Sequence, residues 1–107
     1  TGTKQNDRME ALAVHRVFGE EVACSSTKPL TGHTLAAAGA IEAVFCWLAL
    51  LRNDNKLPPH RWDGQQDPDL PRLINIGASK SQGKPKFVMS NSFAFGGNNI
   101  SLILGGE

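Results

Sequence analysis

Cysteine is scarce in this sequence, which has only Cys24 and Cys46 among 107 residues. Two cysteines are too few for the disulfide framework of a small secreted domain, and their spacing does not match a metal-ligand motif. We therefore expect free thiols in a reducing, cytoplasmic setting and no metal site.

An excess of charge of either sign is also absent. Eleven Lys and Arg against ten Asp and Glu give a formal net charge of +1. This balance offers neither the basic surface that attracts nucleic acid or anionic membranes nor an acidic tail. Long hydrophobic runs are missing too, since the uninterrupted apolar run at 43–51 has nine residues and a membrane span needs about 20. We predict a soluble globular chain with one domain, 1–107.

Apolar periodicity and turn residues predict an α/β fold. A helix begins near Asn6 or Asp7 and ends at Gly19, and a longer helix spans about 34–52. The longer helix is apolar nearly all round, so we expect it to be central and buried on most sides. Strands are predicted at 22–24, 73–76, 87–89 and 99–104, with an irregular connection at 53–71. This order indicates a layer fold in which the long helix covers a sheet.

The polar segment 25–33 enters the long helix directly. Its Lys28 and His33 could converge on an anion or a carbonyl oxygen at the mouth of that helix. The alternative is a capped helix start with Lys28 and His33 exposed to solvent.

Glu42 is the only acid inside the apolar helix. A buried carboxylate needs a partner or a shifted pKa, and Lys28 is the nearest-placed candidate partner. The alternative is that Glu42 faces solvent on a narrow stripe.

The segment 90–99 combines small residues with Phe93 and Phe95. Glycine and small residues let the backbone approach a ligand closely, and a phenylalanine in a loop normally occupies a pocket. The alternative is a β-hairpin turn with buried aromatic side chains.

In combination, these segments resemble the C-terminal half of a β-ketoacyl-acyl-carrier-protein synthase of the thiolase superfamily. The Lys-x-x-x-Gly-His segment lies at 28–33, the Ala-rich helix start with its Glu at 37–42, and Asn-Ser-Phe-x-Phe-Gly-Gly-x-Asn at 91–99. The segment 1–7 resembles the family's His-Gly-Thr-x-Thr-x-x-x-Asp motif from its third residue onward. The resemblance implies the C-terminal half of a thiolase-like fold, with a mixed sheet covered by a buried helix and without its first strand.

The resemblance also implies a reaction. Such enzymes join malonyl-acyl-carrier protein to an enzyme-bound acyl thioester by decarboxylative Claisen condensation, in fatty-acid or polyketide-like biosynthesis. They need no cofactor, because phosphopantetheine on the acyl carrier protein holds the substrates. By this resemblance His33 stabilises the malonyl enolate, and Lys28 supports that site with Glu42 as its ion-pair partner.

The remaining implied site residues bind the acyl chain and the pantetheine arm. The backbone N–H of Phe95 resembles half of the oxyanion hole, and its ring resembles the gate between the acyl pocket and the malonyl side. Phe93 is also expected to bind substrate. Thr1 and Thr3 match positions that hydrogen-bond pantetheine.

Two parts of the implied site are outside this sequence. The nucleophilic cysteine belongs to the other half of the enzyme, and the second histidine of the family lies just before Thr1. We therefore expect a fragment that is inactive alone and that needs its missing N-terminal half, in a parent that forms a homodimer or heterodimer. The alternative function is a non-catalytic partner resembling a chain-length factor, which binds acyl carrier protein or a sister synthase. Lys28, His33 and Glu42 favour the enzyme, because a partner without chemistry does not need the histidine.

Overall fold

The computed structural model describes residues 2–93 and 95–106, and of Phe95 it describes the backbone alone. The described residues form two compact units. The first comprises 2–33 and 59–78, and the second comprises 34–58 and 79–106.

Helix α1 of the first unit spans Lys4–Phe18. Its N-cap is Thr3, whose hydroxyl accepts a hydrogen bond from the Asn6 N–H at 3.3 Å. The helix ends at Gly19, as predicted, where the glycine N–H donates to the carbonyl of His15. It begins earlier than predicted because Thr3, not Asn6 or Asp7, supplies the capping oxygen.

The predicted strands at 22–24 and 73–76 meet only at one parallel bridge, between Cys24 and Ile76. The Gly77 N–H donates to the Cys24 carbonyl at 2.8 Å, and the Ile74 N–H donates to the Glu20 carbonyl at 2.9 Å. Turns around 74–78 interrupt the extended backbone, since the Ile76 N–H bonds back to the carbonyl of Leu73. The prediction of two regular strands here is therefore wrong.

The second unit is a helix packed on a β-hairpin. A 3₁₀ turn, Leu35–Ala37, leads into helix α3, Ala38–Leu51. Strands β1, Phe87–Phe93, and β2, Asn99–Gly105, pair antiparallel from Phe87 opposite Gly105 to Phe93 opposite Asn99. Helix α3 packs against both strands. Both predicted strands are confirmed, although the only sheet among the described residues is this antiparallel pair rather than a mixed sheet.

Helix α3 differs from its prediction in start and in burial. It begins at Ala38, because Leu35 has a φ of 51°. The residues before Ala38 therefore lie outside the α-helix. Ala49 and Leu50 are buried, but Trp47 and Leu51 remain 55% and 56% exposed. The two-stranded hairpin covers only one face of this apolar helix, so the prediction of burial on most sides is wrong for this chain.

None of the helices within the described ranges has the length and apolar character required to cross a membrane.

Candidate functional site

Lys28 is the first residue of a short helix in the first unit, and His33 lies just after its end. Helix α2 spans Lys28–Thr31, and the Gly32 N–H donates to the Lys28 carbonyl at 2.8 Å. Lys28 is half-buried, whereas His33, directly after Gly32, is exposed. The structure thus brings these two predicted site residues to adjacent turns, with His33 exposed to solvent and Lys28 partly exposed.

Glu10 is an acidic neighbour of Lys28 that the sequence did not single out. Burial raises the pKa of the Glu10 carboxyl, and its hydrogen bond from the Asn6 amide and the nearby Lys28 ammonium oppose that rise. The Asn6 Nδ2 donates to Glu10 Oε2 at 3.3 Å. Lys28 therefore acts electrostatically on Glu10 within the first unit.

His60 is a second residue that sequence reasoning missed. The side chain is half-buried, and its Nδ1 accepts a hydrogen bond from the Ser26 backbone N–H at 2.9 Å. Burial lowers the pKa of His60. An acceptor at Nδ1 requires the neutral ring with its proton on Nε2. His60 thus binds the segment that leads to Lys28.

Glu42 lies on α3 in the second unit and is half-buried. Half-burial leaves the carboxylate in partial contact with solvent, so the solvent-facing alternative stays a prediction as well. Lys28 belongs to the first unit, and the Lys28–Glu42 ion pair stays a prediction.

The segment 90–99 forms the end of the hairpin. Strand β1 runs on through Phe93, which is half-buried, and a 3₁₀ turn at Phe95–Gly97 leads to β2. The hairpin alternative is thus confirmed for the described backbone. A Cβ added at Gly39 would lie 3.4 Å from the Ser92 Oγ, so the first turn of α3 passes close to the end of β1.

Thr1 and the Phe95 side chain lie outside the described residues, so their roles stay predictions. Thr3 is described as the N-cap of α1, and its pantetheine contact stays a prediction.

Both cysteines are half-buried and free of disulfides. Burial raises the pKa of each thiol, and the nearby carboxylate raises it further: Glu10 for Cys24 and Glu42 for Cys46. An activated cysteine nucleophile needs the opposite shift, because the thiolate is the reactive form.

Across residues 2–93 and 95–106, no three His, Cys, Asp or Glu side chains cluster in a way that would hold a metal ion.

Comparison with known proteins decides the family. A family model described as beta-ketoacyl synthase, C-terminal domain, matches residues 1–61, which is more than half of the chain. The chain belongs to this family. The resemblance predicted from the motifs at 28–33, 37–42 and 91–99 is therefore confirmed at the level of the family.

Three curated relatives illustrate the similarity. The 3-oxoacyl-(acyl-carrier-protein) synthase 2 of Coxiella burnetii is 41% identical over 108 residues, covering 97% of this chain and 25% of the relative. Nodulation protein E of Rhizobium sp. (strain N33) is 37% identical, covering 95% and 25%. The mitochondrial 3-oxoacyl-(acyl-carrier-protein) synthase of Arabidopsis thaliana is 38% identical, covering 96% and 23%. The chain thus spans about a quarter of the length of these relatives, and no solved structure matches it.

Proposed function

We propose that this chain is part of a condensing enzyme that joins acyl and malonyl units carried on acyl carrier protein. The observation that carries the proposal is the segment 28–33, in which a half-buried Lys28 begins a four-residue helix and an exposed His33 follows it. The match to the C-terminal domain of beta-ketoacyl synthases supports the same class of reaction. The backbone of this segment thus sets the distance between the side chains of Lys28 and His33.

The proposed chemistry is decarboxylative condensation. The bond between the malonyl carboxylate and the methylene carbon breaks, CO₂ leaves, and the electron pair forms a thioester enolate. The enolate carbon then attacks the acyl thioester carbonyl, a carbon–carbon bond forms, and the cysteine thiolate departs. His33 donates a hydrogen bond to the enolate oxygen, and one such donor aimed at developing charge contributes about 10²–10³ in rate. Its exposure in this chain leaves the imidazole accessible to a substrate.

Lys28 provides electrostatic support in this proposal. A positive charge in a half-buried position is less screened than one in bulk water, so it stabilises a nearby oxyanion more effectively. Glu42 balances this charge as its ion-pair partner. The position of Glu10 beside Lys28 adds a second carboxylate to the same electrostatic system.

The acyl-accepting thiol of the proposed enzyme comes from outside this chain. The raised pKa values of Cys24 and Cys46 support this part of the proposal, because both thiols favour the unreactive protonated form. The relatives are about four times as long as this chain, so the nucleophile can lie in the part of the enzyme that this chain does not cover.

The proposed partners are acyl carrier protein, through a pantetheine arm held by Thr1 and Thr3, and the remaining part of the enzyme. Large apolar side chains are exposed on α1 in the first unit and on α3 and β2 in the second, and they support partner contacts on each unit. Examples are Val17, Trp47 and Ile100, which are 69%, 55% and 65% exposed. We propose that the complete enzyme is a dimer.

The test uses the longer protein that contains this chain, charged with acyl-carrier-protein thioesters. His33→Ala should lower the rate of malonyl decarboxylation about 10²–10³-fold while acyl loading continues, since the enolate forms only after loading. His15→Ala, at an exposed position of α1, is the matched control and should leave both steps unchanged.

Two results would change the assignment. Decarboxylation at the wild-type rate in His33→Ala would contradict the role of His33. A wild-type protein that binds acyl carrier protein but never becomes acylated would favour the partner resembling a chain-length factor.

A further inference from the structure

His60 and Ser26 form a hydrogen bond that joins two parts of the first unit distant in sequence. The Ser26 N–H donates to His60 Nδ1 at 2.9 Å across 34 residues. Ser26 in turn receives a hydrogen bond at its Oγ from the Lys28 N–H, at 3.4 Å. A continuous series of hydrogen bonds therefore runs from the His60 ring to the backbone of Lys28.

The hydrogen bonds that Thr27 makes at the beginning of helix α2 are local. Its N-cap, Thr27, makes no side-chain capping hydrogen bond. The Thr27 carbonyl accepts from the N–H groups of Leu30 and Thr31, at 2.9 and 3.1 Å, but these bonds are local. A four-residue helix cannot hold its own orientation, because helix nucleation is unfavourable and short helices depend on tertiary contacts. The bond to His60 is such a contact.

The His60 ring is itself held in place. The Trp62 ring meets it edge to face, with centroids 5.5 Å apart and an interplanar angle of 77°. Gly77 lies close to both side chains, since an added Cβ there would be 3.2 Å from the His60 Cβ and 3.4 Å from the Trp62 Nε1. The Gly77 N–H also binds the Cys24 carbonyl at 2.8 Å. Cys24 and Ser26 are thus anchored by neighbouring parts of one cluster, which includes His60, Trp62 and Gly77.

From these contacts we infer that His60 is a positioning residue of the condensing site. His60 accepts a hydrogen bond from the Ser26 N–H and so holds the turn before Lys28. This contact fixes where α2 presents Lys28 and His33. This inference rests on the proposed function for the roles of Lys28 and His33, but the contact with Ser26 does not. Its acceptor atom, rather than the bulk of its ring, is what the site requires.

Two substitutions distinguish the role of the His60 acceptor atom from that of the side-chain volume. His60→Leu keeps an apolar side chain in the cluster and removes the acceptor. His60→Asn keeps an acceptor, because its Oδ1 can take the place of Nδ1. His15→Leu, at an exposed histidine of α1, is the control for a histidine-to-leucine change elsewhere.

The first measurement is hydrogen exchange in the longer protein, followed on a peptide that contains residues 24–28. His60→Leu should speed exchange of the Ser26 amide about tenfold, the factor expected for one lost hydrogen bond. His60→Asn and His15→Leu should remain near the wild type. Unchanged exchange in His60→Leu would overturn the inference, as would equal acceleration in His60→Leu and His60→Asn.

The second measurement is malonyl decarboxylation by the same proteins. Displacing a catalytic group by about 1 Å costs up to about 10²-fold in rate, so His60→Leu should lower kcat about ten- to hundredfold with KM nearly unchanged. His60→Asn should recover most of that loss. Faster exchange in His60→Leu without any fall in kcat would contradict the positioning role. A wild-type protein without decarboxylase activity would contradict the proposed function, while the exchange result would still decide whether His60 holds the turn.

A third measurement needs only the wild-type fold, in case His60→Leu does not fold. Nitrogen NMR of ¹⁵N-histidine-labelled protein reports which ring nitrogen carries the proton, and comparison with His60→Asn assigns the His60 signals. We expect an unprotonated Nδ1 and a proton on Nε2 at neutral pH. A proton on Nδ1 would overturn the inference.

Discussion

Gly77→Ala tests the cluster around His60 quantitatively. Gly77 has a φ of 71°, a left-handed conformation in which a side chain costs about 1–2 kcal/mol. Its Cβ would also lie 3.2 Å from the His60 Cβ and 3.4 Å from the Trp62 Nε1. Both distances are below the 3.5–4.0 Å at which non-bonded atoms attract each other best. Overpacking of this kind costs about 1–3 kcal/mol, so the total loss of stability should be about 2–5 kcal/mol.

Gly64→Ala provides a matched control for the backbone part of this cost. Gly64 has a similar φ of 80°, and nothing lies within 4 Å of its added Cβ. It should therefore lose only about 1–2 kcal/mol. The assay is urea unfolding of the longer protein, with both variants measured under identical conditions. Equal losses for the two variants would refute the close packing of His60 and Trp62 against Gly77.

Three further predictions concern Glu10, the Lys28–Glu42 pair and Phe95. Burial raises the folded-state pKa of Glu10 above its ordinary 4.5, so its contribution to stability should fall as pH rises above 4.5. Glu10→Gln should flatten that part of a pH–stability profile, and an unchanged slope would contradict the burial of the carboxyl. For Lys28 and Glu42, a double-mutant cycle compares the free energies of unfolding of Lys28→Ala, Glu42→Gln and the double variant. The double variant should lose less stability than the sum of the two single losses, by about 0.5–3 kcal/mol. Strict additivity would refute the pair. Phe95→Ala should retain acyl loading and broaden product chain lengths, as measured by mass spectrometry, whereas unchanged products with a marked loss of thermal stability would indicate a core residue.

Features coded by local sequence were predicted well. The end of α1 at Gly19 follows from a residue that readily leaves the helix. The strands of the hairpin follow from short β-branched and apolar runs, and the structure extends β1 to Phe93. The family follows from motifs whose order and spacing are specific, and the match over 1–61 confirms it.

Features set by distant contacts were not predictable in this way. The Ser26–His60 hydrogen bond joins positions 34 residues apart, and neither residue carries a local signal for the other. Helix α3 begins only after Leu35, whose φ of 51° a leucine seldom adopts. The apolar character of α3 indicated burial, but burial depends on how much surface the neighbouring elements can cover. A two-stranded hairpin covers one side, so Trp47 and Leu51 remain exposed.

The proposal that this chain serves decarboxylative condensation can be tested in a single reaction. The longer protein is incubated with acyl- and malonyl-acyl-carrier protein, the latter labelled in its free carboxylate, and both products are quantified. We expect one labelled CO₂ for each 3-oxoacyl thioester that is two carbons longer than the acyl substrate. We also expect His33→Ala to suppress both products together. A protein that binds both thioesters but releases no CO₂ and forms no 3-oxoacyl product would contradict the proposal.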